Sequence, residues 1–160
     1  MRDLLWRVPL GALGGLIALY TFPTENIWGL TPLIPAFILL ATLGVGFWKS
    51  FLIGFISGQV FYIAHIEWIS LYLGPVPLLA LSTLMALYFG LGTALTSYLY
   101  LHYKPKGTKV FLFAFVAAGV WTLREFVANN FPYGGFPWSK LAMTQSESIF
   151  SNWVWWGGLS

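Results

Sequence analysis

The chain has 160 residues, of which 58% are hydrophobic and only 8% charged, with a mean hydropathy of +0.76. A soluble domain carries roughly 25% charged residues, so this chain cannot cover a water-facing surface and reads as an all-α integral membrane protein, a polytopic bundle of transmembrane helices. Its net charge of +3, from eight basic against five acidic residues, is scattered between apolar runs as topology signals are, which argues against a nucleic-acid partner.

A helix needs roughly 20 apolar residues to cross a hydrocarbon core about 30 Å thick. Five stretches approach that length, at about residues 8–22, 27–47, 51–73, 76–101 and 110–128, and a sixth run covers 149–160. The first follows Arg2 and Arg7 as a signal peptide would, but no small-residue cleavage site comes after it, so it reads as an uncleaved span. Breakers separate the runs: Pro23 with Glu25 and Asn26, then Gly74-Pro75, then the segment 104–109 with Pro105 and Gly107. The residues 129–148 form the longest loop.

Lysine and arginine set the expected sidedness. Arg2, Arg7, Lys49, Lys104, Lys106 and Lys109 fall on one side if the spans alternate, and the opposite short loops have no basic residue. The N-terminus is therefore expected in the cytoplasm and the 129–148 loop outside, with Lys140 its single basic residue. Gly54 and Gly58 form a small-residue pair in the third span, and Gly90 and Gly92 lie in the fourth, where they would let helix backbones approach closely.

Few residues here carry chemistry. There is no cysteine, which removes disulfides, thiolate metal sites and a cysteine nucleophile within these residues, and His65 and His102 are far apart, so no metal or cofactor is expected. Glu125 stands out as a carboxylate inside the fifth span, one turn after Trp121 on the same face. A charge at that depth costs roughly 2.5–3.5 kcal/mol on insertion scales, so it should face the bundle interior and find a partner. It serves either as a structural hydrogen-bonding group or in binding a polar head group and positioning the outer loop. Arg124 points about 100° away on a helix and is expected to snorkel toward the headgroups. His65 and Glu67, with Trp68 after them, fall near the outer end of the third span, either at the lipid interface or lining a cavity with Glu125. The loop 131–138 combines Pro132 and Pro137, Gly134 and Gly135, and Phe131, Tyr133, Phe136 and Trp138. It reads as an interfacial anchor or as a shaped wall for a lipid.

These residues resemble the apolipoprotein N-acyltransferases. The resemblance rests on Trp121, Glu125 and Phe126, then Gly135, Phe136, Pro137 and Trp138, then Gln145, with an earlier match at Gly54, Phe55 and Gly58 and Trp68 further on. One departure is visible: many members carry arginine three residues after the glutamate, where this chain has Ala128. The resemblance implies transfer of an acyl chain from a membrane phospholipid to the N-terminal amine of a diacylglyceryl-cysteine lipoprotein in the bacterial cytoplasmic membrane, through a thioester on a cysteine. It places that cysteine, with a glutamate and a lysine, in a nitrilase-like domain beyond the membrane spans. On this reading residues 1–160 are the N-terminal membrane portion, with no catalytic residue and no activity alone. Trp121, Glu125, Gly135, Phe136, Pro137, Trp138 and Gln145, and less strongly His65, Glu67 and Trp68, would position lipid or substrate. Two other readings fit the same features: a membrane anchor for a polyprenol-phosphate mannosyltransferase, and a small substrate-binding subunit of a transporter.

Overall fold

The computed structural model describes residues 2–23 and 25–153, and these form helices and short 3-10 turns without a strand. Six α-helices follow in order: α1 (Arg2–Thr21), α2 (Leu33–Thr42), α3 (Phe47–His65), α4 (Trp68–Leu73), α5 (Pro75–Tyr103) and α6 (Thr108–Asn130). Four of them, α1, α3, α5 and α6, are long and apolar enough to cross a membrane. The chain is an all-α polytopic membrane bundle.

Two of the expected spans differ in detail. The stretch at 27–47 becomes a 3-10 turn (Trp28–Leu30) and the ten-residue α2, about 15 Å of helix. Pro32 and Pro35 bracket its start, where a missing N–H costs nothing because first-turn donors have no intrahelical partner. The segment still runs back along α1: the Ile27 N–H donates to the Tyr20 carbonyl at one end, and Arg7 reaches the carbonyls of Leu40, Ala41 and Leu43 at the other. Alternation of direction is preserved. The stretch at 51–73 splits at Ile66–Glu67 into α3 and α4, and Gly74, at φ 84°, ends α4 and turns the chain into α5, with Pro75 in its first turn. The run at 149–160 begins with a 3-10 turn (Ser151–Trp153), and its remainder lies outside the described residues.

Close backbone approach holds the bundle together, as it must where lipid is as apolar as the side chains. Gly54 lies against the Thr93 side chain, Gly58 against Ala86 and Phe89, and Gly90 against the Phe51 carbonyl, which makes α3–α5 the most intimate pair. Gly11 and Gly15 do the same for α1 on α3, where any Cβ at Gly15 would meet the Ser57 carbonyl. The core gathers Ala18, Phe22, Ile38, Phe61, Met85 and Phe89. Helix α6 is the least covered, with 11% of its apolar window buried against 44% for α5.

The helix directions bring Arg7, Lys49, Lys104, Lys106 and Lys109 to one end, here the basic end. The distal end holds the turn after α1, the α3–α4–α5 corner and everything after α6. The packing yields a direct check. Gly15→Ala should destabilise the folded bundle by about 2 kcal/mol through overpacking against backbone. Gly119→Ala, where an added Cβ meets nothing within 4 Å, should leave stability unchanged or slightly raised. Thermal unfolding in a mild detergent measures both, and equal melting temperatures for the two variants would contradict this packing.

Candidate functional site: a carboxylate hub beneath the distal loop

Helix α6 turns Trp121 and Glu125 to one face, four residues apart. The indole N–H of Trp121 donates to Glu125 Oε1 at 2.9 Å. The same oxygen accepts from Arg124 Nη2 at 3.2 Å and from the backbone N–H of Leu141 at 2.9 Å. One carboxylate oxygen therefore joins its own helix, the adjacent cation and the distal segment.

Arg124 departs from expectation. It does not reach for headgroups but curls inward, 8% exposed, and forms the ion pair with Glu125. Its Nη1 donates to the Tyr62 hydroxyl at 3.2 Å. Its guanidinium carbon lies 4.8 Å from the ring centres of both Phe89 and Trp121, a desolvated cation–π arrangement. Gly92 makes room for its aliphatic stem, the Cδ lying 3.2 Å from where a Cβ would be. The physical reason is cost: a buried cation next to a partly buried carboxylate gains more by pairing than by stretching to the interface. Tyr62 went unremarked in the sequence, although it continues the four-residue register of Gly54 and Gly58 toward α5.

The loop after α6 folds back on that helix. Tyr133, Gly134 and Gly135 all have positive φ, at 51°, 93° and 70°. Gly135 passes against the backbone of Asn129 and Asn130 so closely that any Cβ would collide, which is why glycine stands there. The next N–H, of Phe136, donates to the Ala128 carbonyl at 2.8 Å and so caps the end of α6. Ala128 itself is buried in the core; the cation beside Glu125 is Arg124.

Phe136 packs against both core clusters. Trp138 stacks on Trp68 with centroids 5.3 Å apart and on Phe136 at 6.1 Å, with Pro137 opening the short turn that carries it. His65 faces the Trp138 carbonyl at 3.4 Å and its ring stacks on Phe61. Gln145 does not reach Glu125. Its side-chain amide donates to the hydroxyls of Thr31 and Thr144 at 2.9 and 3.0 Å, and Thr31 donates to Thr144. It thereby ties the distal segment to the turn before α2. Glu67 is exposed at the start of α4.

A cavity of about 470 Å³ lies between α2, α5 and α6, with Glu125 and Arg124 toward its distal end and Leu141 and Ala142 above them. His65 and Glu67 do not line it. Among the described residues no three His, Asp or Glu side chains come together as metal ligands.

Fold and site define a polytopic helical membrane protein whose distal segment is held by one intramembrane carboxylate. The family model described as apolipoprotein N-acyltransferase N-terminal domain matches residues 14–160, and the chain belongs to that family.

Removing either charge should strand the other. Glu125→Leu or Arg124→Leu should each destabilise by about 3 kcal/mol, and the double replacement by clearly less than their sum. Glu125→Leu should also free Leu141 and increase protease cleavage between residues 139 and 146. Additive effects in thermal unfolding would show that the pair is not coupled.

Proposed function

We propose that residues 1–160 are the membrane portion of an enzyme that moves an acyl chain from a membrane phospholipid to the N-terminal amine of a diacylglyceryl-cysteine lipoprotein. The observation that carries this reading is the family match over residues 14–160, within which Trp121, Glu125, the 135–138 turn and Gln145 all serve one distal segment. These residues contain no cysteine, so on this reading the acyl-thioester is formed by residues outside them. The membrane portion then orients its lipid partners and holds the reacting domain at the membrane surface, and such orientation can supply a large part of a rate enhancement.

The role of each candidate residue follows from its contacts. Glu125 and Trp121 hold the loop at Leu141; Gly135 and Pro137 shape it; Phe136 and Trp138 set it on α4; Gln145 pins it to the α1–α2 turn. His65 supports Trp138, and Trp68 stacks on it. Glu67, at the exposed corner, is the weakest member of the set. The protein is assigned to the bacterial cytoplasmic membrane with the basic end in the cytoplasm and the distal end outside, in keeping with the excess of lysine and arginine on cytoplasmic loops.

The test is acyl transfer by the protein purified from its native membrane, with phosphatidylethanolamine and a synthetic diacylglyceryl lipopeptide, read by the mass of the N-acylated product. Glu125→Ala should lower the rate about a hundredfold by misplacing the distal segment. No product from the wild-type protein, together with a co-purifying polyprenol-phosphate glycosyltransferase, would move the assignment to an anchoring role. Sidedness has its own check: residues 1–160 contain no cysteine, so one can be introduced at a chosen position, with any cysteine outside these residues replaced by alanine. Tyr133→Cys should react with a membrane-impermeant maleimide on intact cells and Lys106→Cys only after lysis; the reverse would invert the orientation.

A further inference from the structure

The groove between α2, α5 and α6 ends distally at Glu125 and Arg124. A second, much smaller cavity meets the same ion pair. Residues of α1, α2, α3, α5 and α6 converge on it, together with Ser139 and Leu141 of the distal segment. Its walls are mostly apolar, with Ala18, Ile34, Phe61 and Phe89 among them. The centre of a water-sized sphere has about 20 Å³ there. Counted in that way, one water needs roughly 10–15 Å³, so the cavity has room for one.

The polar groups around this space are incompletely paired. Arg124, 8% exposed, uses Nη1 on the Tyr62 hydroxyl and Nη2 on Glu125, while its Nε is buried without a hydrogen-bond partner. The Ser139 Oγ is likewise buried and unpartnered. Arg124 and Ser139 both line the cavity, and so do Tyr62 and Glu125. Among the described residues the Tyr62 hydroxyl accepts from Arg124 and donates to none, and every bond to Glu125 falls on Oε1, so that Oε2 remains as an acceptor. A buried donor on a charged group is costly to leave unmade, and folded proteins answer such atoms with a protein group or an ordered water.

The chemistry of these groups selects the occupant. The ion pair is neutral as a whole, so neither sign of charge is favoured: an anion would meet the carboxylate and a cation the guanidinium. An apolar group would leave Nε and Oγ without partners. Water is neutral and both donates and accepts. We propose that this cavity binds one ordered water, which accepts from Arg124 Nε and bonds to Ser139 Oγ, with the Tyr62 hydroxyl and Glu125 Oε2 as its further partners. Leu141 is tied to Glu125 directly, and Ser139 is tied to Arg124 through the water. Both members of the ion pair then hold the distal segment, and Ser139 is a positioning residue that acts through the bound water. The inference uses only the ion pair and its surroundings and does not rest on the acyltransferase reading.

The experiment is hydroxyl-radical labelling of the intact protein in lipid nanodiscs by a short X-ray pulse, with the oxidised residues mapped by mass spectrometry. A water bound in the interior is split in place and marks the buried side chains beside it. Tyr62 and Met85 are equally buried, each 2% exposed, but only Tyr62 lines the cavity. Tyr62 should take up about tenfold more label than Met85, although methionine is the more readily oxidised side chain. Ser139→Val, which sets methyl groups in place of the hydroxyl, should lower the Tyr62 label about tenfold, the change in occupancy for loss of one hydrogen bond to the water. The exposed Tyr133 should be labelled as before. Thermal unfolding confirms that the variant is folded, and Ser139→Ala, judged by the same criterion, takes its place if it is not. Tyr62 labelled no more than Met85 in the wild-type protein would overturn the proposal, and so would Tyr62 label that the folded Ser139 variant leaves intact.

Discussion

One oxygen of Glu125 receives three hydrogen bonds, from an indole on its own helix, from the neighbouring guanidinium and from the backbone of the distal segment. Each would be modest in water, but these groups are largely withdrawn from the surface, and leaving any of them unmade carries a desolvation cost. The carboxylate fixes Arg124, and Arg124 fixes Tyr62 on α3. Helix α6 is thereby tied to a helix against which it hardly packs. A buried ion pair is weak grounds for high stability, since apolar replacements can do as well. Its value here lies in geometry: it sets the rotation of α6 and the height of Leu141 together.

Besides its bond to Glu125, the distal segment is held at three separate places. Gly135 and Phe136 lock it onto the end of α6, Trp138 rests on Trp68 and His65 at the α3–α4 corner, and Gln145 with Thr144 reaches Thr31 before α2. The contacts of Trp138 and Gln145 join elements far apart in sequence. A lone loop of this composition would lie in the interface as any aromatic segment does; pinned at three points, it becomes a roof over the groove with Leu141 and Ala142 on its underside.

Hydropathy made the helices legible because long apolar runs in a chain this poor in charge have one physical outcome in lipid. The α3–α4 break escaped notice because no proline or glycine marks it: Ile66 and Glu67 leave the helix by geometry and tertiary packing, with Ile66 almost wholly buried. The shortness of α2 was written in Pro32 and Pro35, which a window average over an apolar run conceals. Trp121 and Glu125 were found together because a four-residue spacing is a local rule. Arg124 was misplaced because helical projection gives the direction of Cβ, and a long side chain can swing well away from that direction when a carboxylate and two aromatic faces draw it. Gln145 could be picked out as a residue, but its partner Thr31 lies 114 positions away, beyond any local rule.

Helix α6 carries the hub and yet is the least buried of the long helices. The two facts belong together. In lipid no hydrophobic force presses helices into contact, so association depends on van der Waals fit and on polar links. Along its distal third α6 has the polar links, through Glu125 and Arg124. Toward the basic end it has Phe113 against Tyr100 of α5. Between them its alanines stand back from α2 and leave the groove. A gap lined by small apolar side chains forfeits dispersion energy on both walls unless something apolar fills it. The ion pair therefore does what packing does elsewhere in the bundle: it holds α6 in place without close contact along its middle.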